Sequence, residues 1–237
     1  MTYSVVAHCK HTGQYGIAIA TYSPSVGARC PILVPGRGVA SVQAVANPTL
    51  NRLAAQLIES GRCARNIIEE LQACDPFPDS RQLSVIDIYG QAGASTGARN
   101  AVWAGHVLGD GYVCAGNVLV GEKVVNAMAQ AFEACVDVAL AERLMLSLEA
   151  GRDAGGQPEG QNSAALLVSG DGSFPIVDLR VDLHDAPEAE LRRIWDWHRP
   201  MVPYYLQRAV TPTGPRWWQW RMENVPGWRA RHLDRGQ

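Results

Sequence analysis

The chain has 237 residues, 47% of them apolar and 19% charged, with a formal net charge of −2. That is enough chain for a substantial core, and the composition is that of a globular protein rather than a disordered one. The near-neutral balance offers no global field for nucleic acid or an anionic membrane, no apolar run approaches bilayer length, and no signal-peptide layout opens the chain.

A soluble, cytoplasmic protein with neither nucleic acid nor membrane as partner is therefore expected. The six cysteines (Cys9, Cys30, Cys63, Cys74, Cys114 and Cys135) are scattered without a C-x-x-C pair, so free thiols are expected and no metal site. His8 and His11 are close in sequence but flank a turn at Thr12-Gly13.

In chain order, Ser4 to His8 and Tyr15 to Thr21 form a hairpin of two strands. The second is nearly all small or apolar, as in a strand covered on both faces. A Pro- and Gly-rich loop from Ser23 to Gly38 leads to a third strand, Val39 to Val45, with Gln43 a polar residue among apolar ones. Asn47-Pro48 is a helix start, Asn47 serving as N-cap, and Leu50, Leu53, Ala54, Leu57 and Ile58 recur at helical spacing. A second helix carries Ile67, Ile68 and Leu71. Leu83 to Ile88 and Ala92 to Ser95 make a second hairpin.

From Thr96 to Gly121 the chain is glycine-rich, with His106 in a Gly-flanked loop and Asn117 beyond it. So much glycine points to unusual backbone angles or close approach to a ligand. Two helices follow, marked by Val124, Met128 and Phe132 and by Leu140, Leu144 and Leu148. Gln161 precedes a strand from Ser163 to Val168, which turns at Asp171-Gly172 and returns from Phe174 to Val181. A helix spans Glu188 to His198. Beyond Pro200 prolines interrupt any regular element, and Trp217, Trp218, Trp220 and Trp228 alternate with Arg216, Arg221, Arg229 and Arg231. That stretch reads as an irregular extension packed on the domain or on a second subunit, hence an expected homodimer or higher homo-oligomer.

The chemistry is concentrated at the start. Thr2 is small enough for Met1 to be removed, which would leave a threonine whose own α-amino group takes the hydroxyl proton. Ser4 shares its strand face, either as a supporting partner or, with Met1 retained, as a substitute nucleophile. Asn117 or Gln43 would donate to a developing oxyanion, and His106 would act as a base near neutral pH. Gln161 and Ser163 either line the same cleft or serve structure. Asp182 and His184 follow the last strand, where they cap the final helix or face substrate. Arg81 is either an ion-pair partner of Asp75 or Asp87 or a carboxylate clamp.

A set of short motifs in fixed order resembles the family of unknown function DUF1028, itself similar in fold to the N-terminal nucleophile hydrolases. They include Thr2-Tyr3-Ser4-Val5-Val6-Ala7, Gly16-Ile17-Ala18-Ile19-Ala20, Val26-Gly27, Gly38-Val39-Ala40-Ser41-Val42-Gln43-Ala44, Asn47-Pro48, and Arg81-Gln82-Leu83. Thr96-Gly97, Trp103-Ala104-Gly105-His106, Gly116-Asn117-Val118-Leu119, Gln161 with Ser163-Ala164-Ala165, and Arg180-Val181-Asp182 complete the set. The resemblance covers about residues 1–199 and leaves 200–237 as the extension. It implies an α+β, four-layer αββα sandwich whose first strand presents its leading residue to the cleft between two sheets. Where proteasome-like relatives place an Asp after the second strand and a Lys on the third, this chain has Thr21-Tyr22 and Gln43. The expected function is hydrolysis of a small amide or cyclic amide, with a small-molecule substrate and neither metal nor organic cofactor. The alternative is a binding or assembly protein that keeps the fold without the chemistry.

Overall fold

The computed structural model describes residues 1–170 and 172–228. Asp171 of the expected turn, and Arg229 and Arg231 of the tail, lie outside the described residues. The chain divides into two compact units, Met1–Leu191 and a second that begins at Arg192.

Among the described residues, the first unit is built on ten strands. These are β1 (Thr2–Cys9), β2 (Gln14–Thr21), β3 (Pro31–Val34), β4 (Gly38–Ala44), β5 (Arg81–Ile86), β6 (Ala92–Thr96), β7 (Trp103–Gly109), β8 (Tyr112–Leu119), β9 (Ser163–Ser169) and β10 (Pro175–Val181). They pair into a six-stranded sheet, β10-β9-β2-β1-β8-β7, and a four-stranded sheet, β3-β4-β5-β6. All pairings are antiparallel. Helices α1 (Pro48–Glu59) and α2 (Ala64–Cys74) cover the outer face of the smaller sheet, and α3 (Lys123–Glu133) and α4 (Leu140–Asp153) that of the larger. The sheets face each other across β1, β2, β4 and β5. This is the four-layer αββα sandwich.

Each layer follows from its residues. Asn47 Oδ1 accepts the Thr49 N–H at 3.0 Å, and Pro48 opens α1. Leu50, Ala54, Leu57 and Ile58 then face the sheet with Ile67, Ile68 and Leu71 of α2. Between the sheets lie Val6, Ile17, Ile19, Val39, Ile86 and Val113, each contributing about 1.5–3 kcal/mol by leaving water. Because both faces of β1, β2 and β9 are covered, these strands are buried almost throughout.

Three stretches differ from the sequence expectation. The Ser23–Gly38 segment contains β3, short and at a sheet edge, where Pro31 is tolerated. Residues 103–119 are not a loop but the hairpin β7–β8, so His106 sits on a strand. Its glycines admit neighbouring side chains rather than a ligand: a Cβ at Gly105 would stand 2.7 Å from the Trp103 ring, and one at Gly116 would stand 2.5 Å from Leu119. In the second unit the region beyond Pro200 is helical, with α6 (Val202–Val210) and α7 (Trp217–Asn224). Pro203 falls in the first turn of α6, where a missing N–H costs nothing. There the Arg221 guanidinium lies over the Trp197 ring, 4.2 Å from its centroid. The preceding helix α5 spans Pro187–His198. Among the described residues no helix is long and apolar enough to cross a membrane.

Candidate functional site

Strand β1 is central in its sheet, and its first residue has neighbours on both sides. Thr2 pairs with Thr21 of β2 and with Asn117 of β8. Thr21 in turn pairs with Ser163 of β9, so one end of the sheet carries a row of hydroxyls with an amide beside it. Alternation along β1 places Thr2, Ser4 and Val6 on the face toward the second sheet and Tyr3 on the opposite one.

At this end a cavity of about 370 Å³ opens against Thr2. Thr21, Ser23, Val26, Arg29 and Cys30 wall one side, and Ala44, Val45, Ala46 and Pro48 the other. Met1 also lines it. The Thr2 hydroxyl donates to the Met1 carbonyl at 2.5 Å and stands 3.0 Å from the Thr21 hydroxyl, which also donates to that carbonyl. Burial pushes the Met1 α-amino group below its ordinary pKa, the charges of Cys30 and Glu159 opposing. Cys30 is driven the other way: burial raises its thiol to about 11, so it stays protonated.

Beneath the cavity floor runs a buried polar network that ties the sheets together. Ser4 Oγ donates to Gln43 Oε1 at 2.8 Å, which also accepts from Ser41 Oγ at 3.0 Å. Gln43 Nε2 and Asn117 Nδ2 both donate to Gln82 Oε1 at 2.9 Å. Gln82 Nε2 faces Thr96 Oγ1, the Gly105 carbonyl and the Gly116 carbonyl at 2.9, 3.0 and 2.9 Å. Thr96 Oγ1 lies 2.9 Å from His106 Nδ1. Ser4, Gln43 and Gln82 have no solvent exposure and Asn117 almost none.

This geometry sorts the expected site residues. Thr2 reaches the cavity. Ser4, Gln43 and Asn117 gather below it, where one N–H of Gln43 Nε2 and one of Asn117 Nδ2 are given to Gln82 Oε1, leaving each amide a second donor. Asn117 Oδ1 stands buried without a donor. Ser4, the expected substitute nucleophile, is fully buried with its hydroxyl given to Gln43. His106 is joined to the network through Thr96, and burial lowers its pKa. Gln82 was a motif residue without an assigned role; it lies second in β5, between Arg81 and Leu83, a setting that does not single it out.

The remaining candidates build the walls. Ser163 Oγ accepts the Val26 N–H at 3.1 Å and donates to the Ser23 carbonyl at 2.6 Å, holding the segment that lines the cavity. Arg81 pairs with Asp75 rather than Asp87, Nε to Oδ2 at 2.7 Å, and its Nη1 donates to the Val45 carbonyl at 2.6 Å. Its fork is occupied, so it steadies the opposite wall and is not a carboxylate clamp. Asp87 instead accepts the backbone N–H groups of Ala64, Tyr89 and Gln91. Asn47 caps α1 beside Ala46 and Pro48. Asp182 is exposed, and its carbonyl accepts the Ser25 N–H at 2.8 Å. His184 Nδ1 accepts the Ala186 N–H before α5.

Gln161 lies elsewhere. With its amide nitrogen toward Glu188 Oε1 (3.2 Å) and its oxygen toward the Gln157 N–H (3.0 Å), it joins Tyr3 on the far side of β1. The Tyr3 hydroxyl donates to Glu188 Oε1 at 2.5 Å.

Two non-glycine residues beside the network adopt left-handed backbone, Ala44 with φ 72° and Val118 with φ 54°. The β-branched Val118 is strained there, and such strain gathers where a structure must aim particular groups. Among the described residues no group of three His, Cys, Asp or Glu is arranged to hold a metal ion.

Two sheets between helix layers, with a threonine leading the central strand into a cavity, define the class of protein. Its family follows from comparison. The model of DUF1028, a family of unknown function, matches residues 2–191. The crystal structure of protein SPO2555 from Silicibacter pomeroyi, also DUF1028, is similar at 31% identity and a TM-score of 0.77, covering 83% of this chain and 85% of that one. The chain belongs to the DUF1028 family. Weaker likenesses extend to Anbu, the ancestral beta-subunit, from Yersinia bercovieri (14% identity, 86% and 97% coverage, TM-score 0.37). Anbu from Hyphomicrobium sp. strain MC1 is comparable (14% identity, 90% and 98% coverage, TM-score 0.39). No curated protein matches the sequence.

Proposed function

We propose that the protein hydrolyses a small amide through Thr2 as an N-terminal nucleophile, once Met1 has been removed. The observation that carries this reading is the position of the Thr2 hydroxyl: it leads a central strand, meets the Thr21 hydroxyl, and opens on a cavity. In this scheme the freed amine of Thr2 takes the hydroxyl proton and Oγ1 attacks the amide carbonyl. The C–N bond breaks as the leaving amine collects that proton. Water then cleaves the Thr2 ester, releasing the acid and restoring the hydroxyl. The buried network below holds β1, β4, β5 and β8 in register so that the threonine is aimed rather than free to rotate away.

The Met1 carbonyl supplies the second reading. It accepts from both threonine hydroxyls, so a chain that keeps Met1 has its nucleophile engaged and its amine in a peptide bond. Such a chain would be a binding protein.

Treatment of wild-type and Thr2→Ala protein with a β-lactone acylating probe separates the two. Labelling of wild type and its loss in Thr2→Ala supports hydrolysis through Thr2. Equal labelling of both, or of neither, contradicts it.

A further inference from the structure

The cavity at Thr2 has an unbalanced charge. Among the described residues that line it, Arg29 alone has a charged side chain, and none is an Asp or Glu. Arg29 is exposed, and the described residues include no acidic partner for it. Its Nη2 donates to the Pro24 carbonyl. A guanidinium has five N–H donors, so most of its fork remains unused by that bond. The remaining walls are hydroxyls and small apolar groups, Thr2, Thr21 and Ser23 against Val26, Ala44, Val45, Ala46 and Pro48.

Arg29 is also fixed at its base. Its N–H donates to the Val26 carbonyl at 3.0 Å, and its carbonyl accepts from Asn51 Nδ2 of α1 at 2.6 Å. Val26 is tied to Ser163, and Ser25 to Asp182. Gly27 lets this turn lie against the sheet, since a Cβ there would come within 2.9 Å of Ala165 Cβ. A guanidinium on an anchored turn, at a cavity with no Asp or Glu among its lining residues, is suited to a bidentate carboxylate. The volume of about 370 Å³ lies near the small end of ligand pockets, which run from about 300 to 1,000 Å³.

We infer that Arg29 is a specificity-determining residue that binds the carboxylate of a small, acid-bearing amide, with the amide carbonyl presented to Thr2. This rests on the hydrolase reading for the choice of amide. The carboxylate site itself can be tested without chemistry.

The test uses full-length Thr2→Ala protein, titrated calorimetrically with N-acetylglycine and N-acetylalanine and, in parallel, with the matching neutral carboxamides. The acids are expected to bind at least ten-fold more tightly than the carboxamides. Adding Arg29→Gln should weaken acid binding by about 10- to 100-fold, the range of a charge-assisted hydrogen-bonded pair, and leave the carboxamides unchanged. Arg29→Lys should recover part of the loss, because it keeps the charge without the fork. Equal affinity for acids and carboxamides, an Arg29→Gln effect below two-fold, or no binding of either acid at millimolar concentration would overturn the inference. Failure of the β-lactone to label Thr2, with acid binding still dependent on Arg29, would remove the hydrolase reading alone.

Discussion

Gln82 is the residue on which most of the site converges. It accepts from Gln43 and Asn117 and faces the carbonyls of Gly105 and Gly116, so it links β4 to β8 and β7 across the layer between the sheets. Gln82→Leu would strand two amide donors and two carbonyls in a dry interior. The expected loss is about 3–5 kcal/mol, from several unsatisfied groups at roughly 1–3 kcal/mol each, read as a lowered urea midpoint. A loss under about 1 kcal/mol would mean that the network contributes little to holding the sheets. On the other face of β1, burial raises the Glu188 carboxyl above its usual range, with the Tyr3 bond and the Arg152 charge opposing and Asp153 adding to the rise. A carboxyl with a raised folded pKa binds its proton more tightly when folded. Its stabilising effect is complete below the unfolded pKa and is lost as pH rises through the folded one. Glu188→Gln should therefore match wild type in stability in acid and exceed it progressively toward neutrality, in denaturant titrations at a series of pH values. A difference independent of pH would contradict this account of Glu188.

The cavity walls belong to elements rather than to single residues. The β4–α1 junction is held by Arg81, whose guanidinium pairs with the buried Asp75 carboxylate and caps the Val45 carbonyl. The hydrogen bond from Arg81 holds the Asp75 pKa below its ordinary value, with a smaller contribution from the Phe77 N–H. That stabilisation is present above the unfolded pKa of Asp75 and is lost as pH falls through the folded one. Arg81→Met should cost about 3–5 kcal/mol at neutral pH by leaving a buried charge unpaired, with the deficit shrinking in acid, where Asp75 is neutral. A deficit that does not shrink would place the cost elsewhere. The elements themselves were unevenly legible in the sequence. Helices α1 and α2 announced themselves through Asn47-Pro48 and one apolar face each. The hairpin β7–β8 did not: Ala104, Gly105, Ala115 and Gly116 are small because Trp103, Leu119 and Tyr3 need the space, so the usual apolar alternation is missing. Helices α6 and α7 were hidden behind prolines that fall at permitted positions such as the first turn of α6. Of the site, Thr2, Ser4 and Gln43 were visible as polar residues on otherwise apolar strands, and Asn117 as an isolated polar group in a glycine-rich stretch. Arg29 was not, because nothing in a Pro- and Gly-rich loop signals which residue will line a cavity formed by distant segments.

At the scale of the whole molecule, the αββα sandwich brings the start of the chain, the 23–30 turn and the β4–α1 junction to one end of the sheets. If the turn's seat on β9 matters, Gly27→Ala should press on Ala165 and shift the Arg29 wall. It should lower stability by about 1–3 kcal/mol, the usual range for overpacking, and weaken acid binding more than Thr2 labelling. Equal effects on both would indicate general loosening instead. The claim on which the account depends is that Thr2 carries the free amine. The most direct check is the mass of the N-terminal peptide from protein purified from cells and treated with β-lactone. A peptide that begins at Thr2, lacks Met1 and bears the acyl group on that residue is the predicted result; a peptide that begins at Met1 and carries no adduct would contradict it.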